Sequence, residues 1–476
     1  MNFEAVIGLE IHVEMKTKSK MFSPSPNAFS KEPNTHITPF DMAFPGTMPT
    51  VNKQAVINGI RVANALHMEI DHLLRFDRKN YFYADLPKGF QITQEFHPLG
   101  KDGYVVIFDK EGHRKIVHIE RIHLEEDTCK QLHMDTYTLL DYNRAGVPLV
   151  EIVSCPEIRN GFEAGAYVEA IRNIVVYSGC SDGKMEEGSL RCDVNISLRP
   201  IGEETFGTKV ELKNLNSIKN IERAIDKEIA RQKECLLQGK PILQETRRYD
   251  ESSGKTLPMR LKTDAVDYKC FPEPNIAPIV LSDDFVKEAI ATCPELYEAK
   301  KERYLSYDLT QNDAAIILAN PEMAAYFEEA SKGAKNIKTV ANFLIVEING
   351  YLNKRGMKIK ELPLKGSALG EIANLQEEGF THKQCVDVLN YCIENEGVAV
   401  LEAIHALSLS KQISDDDLVL ELVSAVLDAN PQSIADFKAG KDRAKSFLIG
   451  QAMKLGKGKV NPSAVAKIMS KELAKR

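Results

Sequence analysis

Residues 8–14 read Gly8-Leu9-Glu10-Ile11-His12-Val13-Glu14. In an extended strand successive side chains point to opposite faces, so residues two apart share a side. Leu9, Ile11 and Val13 then form an apolar face, and Glu10, His12 and Glu14 form a polar one. Two further stretches repeat the pattern. In 190–198 the apolar face is Leu190, Cys192, Val194, Ile196 and Leu198, opposed by Arg191, Asp193, Asn195 and Ser197. In 209–213 the polar face is Lys209, Glu211 and Lys213. An ordinary half-buried antiparallel strand alternates in this way because one side meets water. Here the wet side is rich in groups that hold metals and phosphates.

Working outward, residues 104–109 and 115–124, joined around Lys110-Glu111-Gly112, predict a hairpin, and 147–153 predicts a short apolar strand. Segments 161–178 and 218–238 carry helical spacing. Prolines at 272, 274, 278 and 294 mark a linker-like stretch beyond which strand signals stop. Helices are expected to start near Asn320-Pro321, Asn336 and Thr381. Another should start at Ser414-Asp415-Asp416-Asp417, with further helices over about 441–455 and 462–474. The fold class is α+β: a mixed, largely antiparallel sheet domain over 1–293, an all-α helical domain over 294–407, and a small helical tail domain over 408–476.

The 476 residues are 43% hydrophobic and 27% charged, ordinary for a globular protein of two to four domains. No apolar run approaches the ~20 residues of a membrane span, and residues 1–9 lack the pattern of a secretory signal. The nine cysteines include no C-x-x-C pair, which points to scattered reduced thiols in a cytosolic setting. The net charge is −7. Residues 436–476 hold eleven Lys/Arg against three Asp/Glu, so the tail carries +8 and the remainder −15. An acidic body with a basic tail suits an enzyme whose last domain meets a polyanion.

Two more acidic positions extend the polar pattern. Glu151 interrupts the apolar run Pro148–Val153, where an unpaired carboxylate would cost several kcal/mol. Glu125-Glu126-Asp127 ends the hairpin strand with three acids in a row. Carboxylates with one imidazole and no thiolate suit Mg²⁺ or Mn²⁺, and Mg²⁺ so held usually completes its shell with water and nucleotide phosphates. Lys79, Lys184, Arg191 and Lys213 could neutralise a transferring phosphoryl group. There is no phosphate-binding G-x-x-x-x-G-K-[ST] loop, kinase H-R-D signature or G-x-S-x-G elbow. ATP chemistry here would use a carboxylate site built on the sheet.

The strand Val6–Glu14 resembles the opening strand of the aspartyl/glutamyl-tRNA amidotransferase B subunits (the GatB family). So do Phe76-Asp77-Arg78-Lys79-Asn80-Tyr81-Phe82-Tyr83 and Lys184-Met185-Glu186-Glu187-Gly188-Ser189-Leu190-Arg191-Cys192-Asp193. Glu211-Leu212-Lys213-Asn214-Leu215-Asn216-Ser217, Glu245-Thr246-Arg247-Arg248-Tyr249-Asp250, Phe271-Pro272-Glu273-Pro274 and Phe447-Leu448-Ile449-Gly450-Gln451 follow in order. The resemblance runs nearly end to end. It implies a cradle domain with a glutamine synthetase-like catalytic fold that uses ATP and Mg²⁺ to phosphorylate the carboxylate of Glu-tRNA(Gln) or Asp-tRNA(Asn). Ammonia from a partner amidase, the A subunit, would displace the phosphate, and a small C subunit would complete a heterotrimer. On that reading the metal site falls on Glu10, His12, Glu125 and Glu151. Glu186, Asp193 and Glu211 are the next candidates for nucleotide-metal or ammonia handling, beside Lys79, Lys184, Arg191 and Lys213.

Many members of the family carry cysteine pairs for zinc in the segment corresponding to 21–49. Phe22-Ser23-Pro24-Ser25-Pro26 and Phe40-Asp41-Met42-Ala43 stand there instead, so no structural zinc is expected and packing must hold the segment. In the tail, Lys454, Lys457 and Lys459 flank glycines that allow close approach to tRNA phosphates. Neither DNA nor a membrane is an expected partner. Two other readings stay open: a free-standing ATP-dependent carboxylate–amine ligase, which would not need the basic tail, and an RNA-binding adaptor with a merely structural carboxylate cluster.

Overall fold

The computed structural model describes residues 2–261, 267–411, 416–438, 442–456 and 460–475. The chain divides into two compact units, Met1–Tyr297 and Glu298–Arg476.

The first unit is built on a nine-stranded sheet. In chain order its strands are β1 (Phe3–Glu14), β2 (Glu69–Ile70), β6 (Gly100–Phe108), β7 (Arg114–Glu126), β10 (Pro148–Ser154), β11 (Leu190–Pro200), β12 (Val210–Lys213), β13 (Glu245–Asp250) and β14 (Lys255–Leu261). Across the sheet they lie in the order β14-β13-β12-β11-β1-β10-β7-β6-β2. Every neighbouring pair is antiparallel except β12 and β13, which run parallel. The remaining strands are short. β4 (Asp77–Asn80) lies between β5 (Phe90–Thr93) and β15 (Phe271–Pro272), β3 (Leu73–Leu74) pairs with β16 (Ile279–Val280), and β8 (Lys130–His133) forms a hairpin with β9 (Thr138–Asp141).

The alternation in β1 sets the layers. Ile7, Leu9, Ile11 and Val13 are fully buried under α1 (Lys53–Ala65), α2 (Gly161–Tyr177) and α3 (Ile218–Leu237), in one core with Ile60, Val168, Ile171, Ile221 and Ile225. At ~25 cal/mol per Å² of apolar surface, each such side chain contributes about 1.5–3 kcal/mol. Asn52, Asn160 and Ser217 cap these helices by accepting from backbone N–H groups of the first turn. α2 and α3 approach so closely at Gly161 that a Cβ there would stand 2.3 Å from the Glu222 carbonyl oxygen. The opposite face of the sheet is left to the polar side chains.

Segment 21–49 is tied by Asp41, which accepts from Ser23 Oγ, Thr38 N and Thr38 Oγ1, each at 2.8 Å. The wholly buried Lys20 ammonium donates to the Tyr142 carbonyl at 3.1 Å and faces Asp41 at 3.9 Å. Phe22 packs edge-on to Phe76, 5.2 Å between centroids.

The second unit is helical. Thr310 and Thr381 close capping boxes with Asp313 and Gln384, and Asn320 caps the helix that begins at Pro321. Helix Ile337–Asn342 passes into a π-turn, Phe343–Ile348, before resuming at Asn349. The last helices, Asp416–Ala429, Asp442–Leu455 and Pro462–Lys475, enclose Val419, Val423, Val426, Leu427, Leu448, Ala452, Val465 and Met469. Ser414 and Asp415 of the expected cap lie outside the described residues. Among the described residues no helix is long and apolar enough to cross a membrane.

Candidate active site

The register of the central strands aligns the polar side chains in rows. His12 stands opposite Glu151 on β10, Glu151 stands opposite His123 on β7, and Arg191 on β11 flanks His12 from the other side. The next row holds Glu14, Leu149 and Glu125. His12 Nε2 lies 3.3 Å from Glu151 Oε2 and 3.9 Å from Glu125 Oε1. His123 Nε2 lies 3.1 Å from Glu151 Oε2 and 3.4 Å from Glu125 Oε2. Thr93 on β5 donates to Glu125 at 3.2 Å. His12, Glu125 and Glu151 each offer a ligand atom within 4.8 Å of the others, which is a donor set of two carboxylates and one imidazole.

Burial disfavours charge on His12, His123 and Glu151, yet their mutual pairing prevails. Burial works against His12, but the hydrogen bond and charge of Glu151, with Glu125, raise it above its ordinary value. His123 is likewise pushed up to about 10 against its own burial, chiefly by Glu151 and Glu125. The two imidazoles hold Glu151 well below the carboxylate range in spite of burial. A cation there would replace the imidazolium protons as the compensating charge, so the residues fit a divalent metal.

Two further clusters adjoin. Arg191 Nη2 donates to Asp127, whose Oδ2 also lies 3.5 Å from Arg144 Nε. Burial and the charge of Asp127 push the Glu14 carboxyl up to about 8, against the opposing pull of Arg191 and Arg144. On the other side, Lys213 Nζ donates to Asp193 and lies 3.6 Å from Glu211 Oε1. Thr246 donates to Glu211 at 2.7 Å, and Asn195 donates to Glu10 at 2.8 Å.

Arg191, Asp193, Glu211, Lys213, Glu10, His12, Glu125 and Glu151 are thus brought onto adjoining strands of one sheet. Glu10 sits one row from the His12–Glu125–Glu151 set, opposite Asp193. Lys79 is on β4, its Nζ 4.9 Å from the Tyr268 ring centroid. Lys184 and Glu186 are on the loop before β11, where Lys184 Nζ pairs with Glu187 at 2.7 Å and Glu186 is exposed. Lys454 is exposed in the last turn of its helix, while Lys457 and Lys459 lie outside the described residues. His123 and Arg144 are additions that sequence reasoning missed. His123 was detectable: counting back two residues from Glu125 puts it on the same face.

A cavity of about 190 Å³ lies among Phe40, Phe44, Arg78, Lys88 and Phe90. Both cations in its wall are already paired, Arg78 with Glu273 at 2.6 Å and Lys88 with Glu126 at 2.7 Å. Arg78 and Lys79 are consecutive on β4 and point to opposite faces.

Comparison with known proteins gives first the class: residues 5–287 match the GatB/GatE catalytic domain and residues 325–473 match the GatB domain. The chain is 48% identical over 478 residues to the B subunit of the aspartyl/glutamyl-tRNA(Asn/Gln) amidotransferase of Staphylococcus carnosus, covering 100% of both chains. It is 46% identical to the protein of the same name from Mesoplasma florum, over 99% of this chain and 98% of that one. With the Bacillus velezensis protein of that name it shares 47% identity over 479 residues and 100% of both. The chain belongs to the GatB family of amidotransferase B subunits.

Proposed function

We propose that this chain is the component of a tRNA-dependent amidotransferase that activates the side-chain carboxylate of Glu-tRNA(Gln), Asp-tRNA(Asn) or both with ATP and passes it to ammonia. The relatives' names, B subunits of aspartyl/glutamyl-tRNA(Asn/Gln) amidotransferases, supply the substrate class. The observation that carries the reading is the convergence of His12, Glu125 and Glu151 on a sheet face that also presents Arg191, Asp193 and Lys213.

A carboxylate resists ammonia because its leaving group would be oxide. In the proposed reaction a substrate carboxylate oxygen attacks the γ-phosphorus of ATP, the β–γ bridging bond breaks, and ADP leaves. The nitrogen lone pair of ammonia then attacks the acyl carbon and inorganic phosphate departs, while the surplus proton passes to a carboxylate. Asp193 and Glu211, both within reach of Lys213, are the candidates for that proton. Lys213, Arg191 and Lys79 would oppose the charge on the transferring phosphoryl group. Mg²⁺ held by His12, Glu125 and Glu151, with Glu10 adjoining, would supply Lewis-acid neutralisation of the phosphates.

Ammonia would come from a partner amidase, the A subunit, with a small C subunit completing the assembly in the cytoplasm. The tail domain, 408–476, would meet tRNA through Lys454, Lys457 and Lys459. Lys184 and Glu186, on their exposed loop, suit contact with substrate arriving from outside the sheet.

The test is ATP hydrolysis by the assembled enzyme in Mg²⁺, with and without Glu-tRNA(Gln). Stimulation by the misacylated tRNA that disappears in Glu125→Gln is the expected result. If no ATP is consumed under any condition, the strand carboxylates are structural and the chain is a tRNA-binding adaptor.

A further inference from the structure

The segment Tyr81-Phe82-Tyr83, which follows β4, has no part in the chemistry above, yet it stands beside it. Tyr81 and Tyr268 meet edge to face, 6.0 Å between centroids, and the Lys79 ammonium lies 4.9 Å from the Tyr268 ring. Two hydrogen bonds from Asn80 lock the cluster: its backbone N donates to the Tyr268 carbonyl at 3.1 Å, and its side-chain Nδ2 donates to the Lys269 carbonyl at 2.7 Å. Tyr268 is 37% exposed and Tyr81 is half-buried, and the neighbouring Phe82 and Tyr83 are largely exposed.

The pairing of β4 with β5 fixes how far this cluster lies from the carboxylates. Lys79 is opposite Gln91, and Asp77 is opposite Thr93. Gln91 donates to the Glu126 carbonyl at 2.8 Å, and Thr93 donates to Glu125 at 3.2 Å. Lys79 therefore shares a face with residues that touch the end of β7, about 7 Å along the strand from the Glu125 contact. Burial, then the charges of Asp85 and Glu125, hold the Tyr81 hydroxyl above its ordinary value. The aromatic cluster and the acidic cluster are thus electrostatic neighbours.

Partly exposed aromatic rings beside a cation, next to the proposed phosphoryl site, match what a nucleobase needs: rings to stack on and a charge for the adjoining phosphate. We propose that Tyr81 and Tyr268, with Lys79, form a stacking platform for an adenine base of a substrate. The proposal rests on the amidotransferase reading and gives that site a base-binding subsite. Both substrates demand one. The carboxylate to be activated is joined through its aminoacyl ester to the terminal ribose of the tRNA, so the 3′-terminal adenine comes within one nucleoside of the reacting atoms. The adenine of ATP lies one triphosphate away from the same point.

The experiment puts 2-aminopurine, whose fluorescence is quenched by stacking, at the 3′ terminus of Glu-tRNA(Gln) in one arm. In the other arm the probe is 2-aminopurine riboside triphosphate. Each is titrated with the assembled enzyme, and amidation of unlabelled Glu-tRNA(Gln) is followed in parallel. Quenching is expected in one arm, and that arm names the source of the base. Tyr268→Ala and Tyr81→Ala should each weaken binding in that arm about tenfold or more, the usual effect of losing a base–aromatic stack. Tyr268→Phe, which keeps the ring, should bind as the parent does. Quenching that survives both alanine variants overturns the platform, as does its absence from both arms. If amidation itself is lacking, the amidotransferase reading falls, and the platform is then judged by the quenching alone.

Discussion

In the tail helices Val423, Leu448, Val465 and Met469 are sealed from water by one another. On the polar face of the large sheet, the groups withdrawn from water include Glu125, at 3% exposure, and His123, at 7%. The tail needs only apolar area, and each side chain there would be nearly as content with another of similar volume. The sheet face depends on pairing of opposite charges, as between Glu151 and the two imidazoles or between Arg191 and Asp127. Removing a single partner there exposes the full desolvation cost of the other, even though the pair gives little net stability. Apolar residues of the same shape would hold the strands together at least as well, so stability alone does not account for such a face.

The contrast can be broken most forcefully at Glu151. Glu151→Gln should lower ATP-dependent amidation by roughly 10²-fold or more, while tRNA affinity stays near that of the parent. Normal amidation by this variant would sink the metal assignment. In the tail, Leu448→Ala opens a void in a wholly buried core and should cost about 2–5 kcal/mol of tail stability. Thermal unfolding would register that loss, and Mn²⁺ titration of the same variant should match the parent. A lowered Mn²⁺ affinity would tie the two regions together.

A pH series sharpens the comparison further. Without metal, the folded chain holds protons on His12 and His123 more tightly than the unfolded chain does. The resulting stability is fully present below about pH 6.5 and is lost as pH rises through about 10, the His123 value. Metal binding must displace the proton on His12, so Mn²⁺ affinity should climb as pH rises above the ordinary imidazole range. Calorimetry at several pH values, with and without Mn²⁺, reads both trends; an affinity independent of pH would remove His12 from the ligand set. The smallest expected effect is at Lys454. Lys454→Ala should weaken tRNA binding and reduce the slope of log affinity against log salt by about one, as loss of a single phosphate contact does. An unchanged slope would place Lys454 outside the contact surface.

What was legible in the sequence follows from the same contrast. The period-two faces of β1, β11 and β12 could be read directly, because alternation is a local property of a strand. From them came His12, Arg191, Asp193, Glu211 and Lys213. The helices of the second unit were legible through their caps, Thr310, Asn320 and Thr381 among them. Lateral order was not legible. Nothing local states that β10 lies between β1 and β7, or that β13 joins β12 in parallel. Lys184 and Glu186 share a run with Arg191 and Asp193; the Lys184 carbonyl accepts from Leu190 N at 3.3 Å, while its ammonium pairs with Glu187.

The place of β1 in the sheet carries one more consequence. It precedes the other strands of its sheet in the chain but lies fifth of the nine, and its two neighbours, β10 and β11, begin at Pro148 and Leu190. At ~5–20 residues per second, an emerging chain waits on the order of ten seconds or more before β1 can be enclosed on both edges. Throughout that interval Val6–Val13 is an apolar strand with two open ladders of hydrogen-bonding groups, the configuration most prone to pairing with another chain. Its alternating charged residues, Glu10, His12 and Glu14, then act as gatekeepers on the nascent chain before they act on anything else.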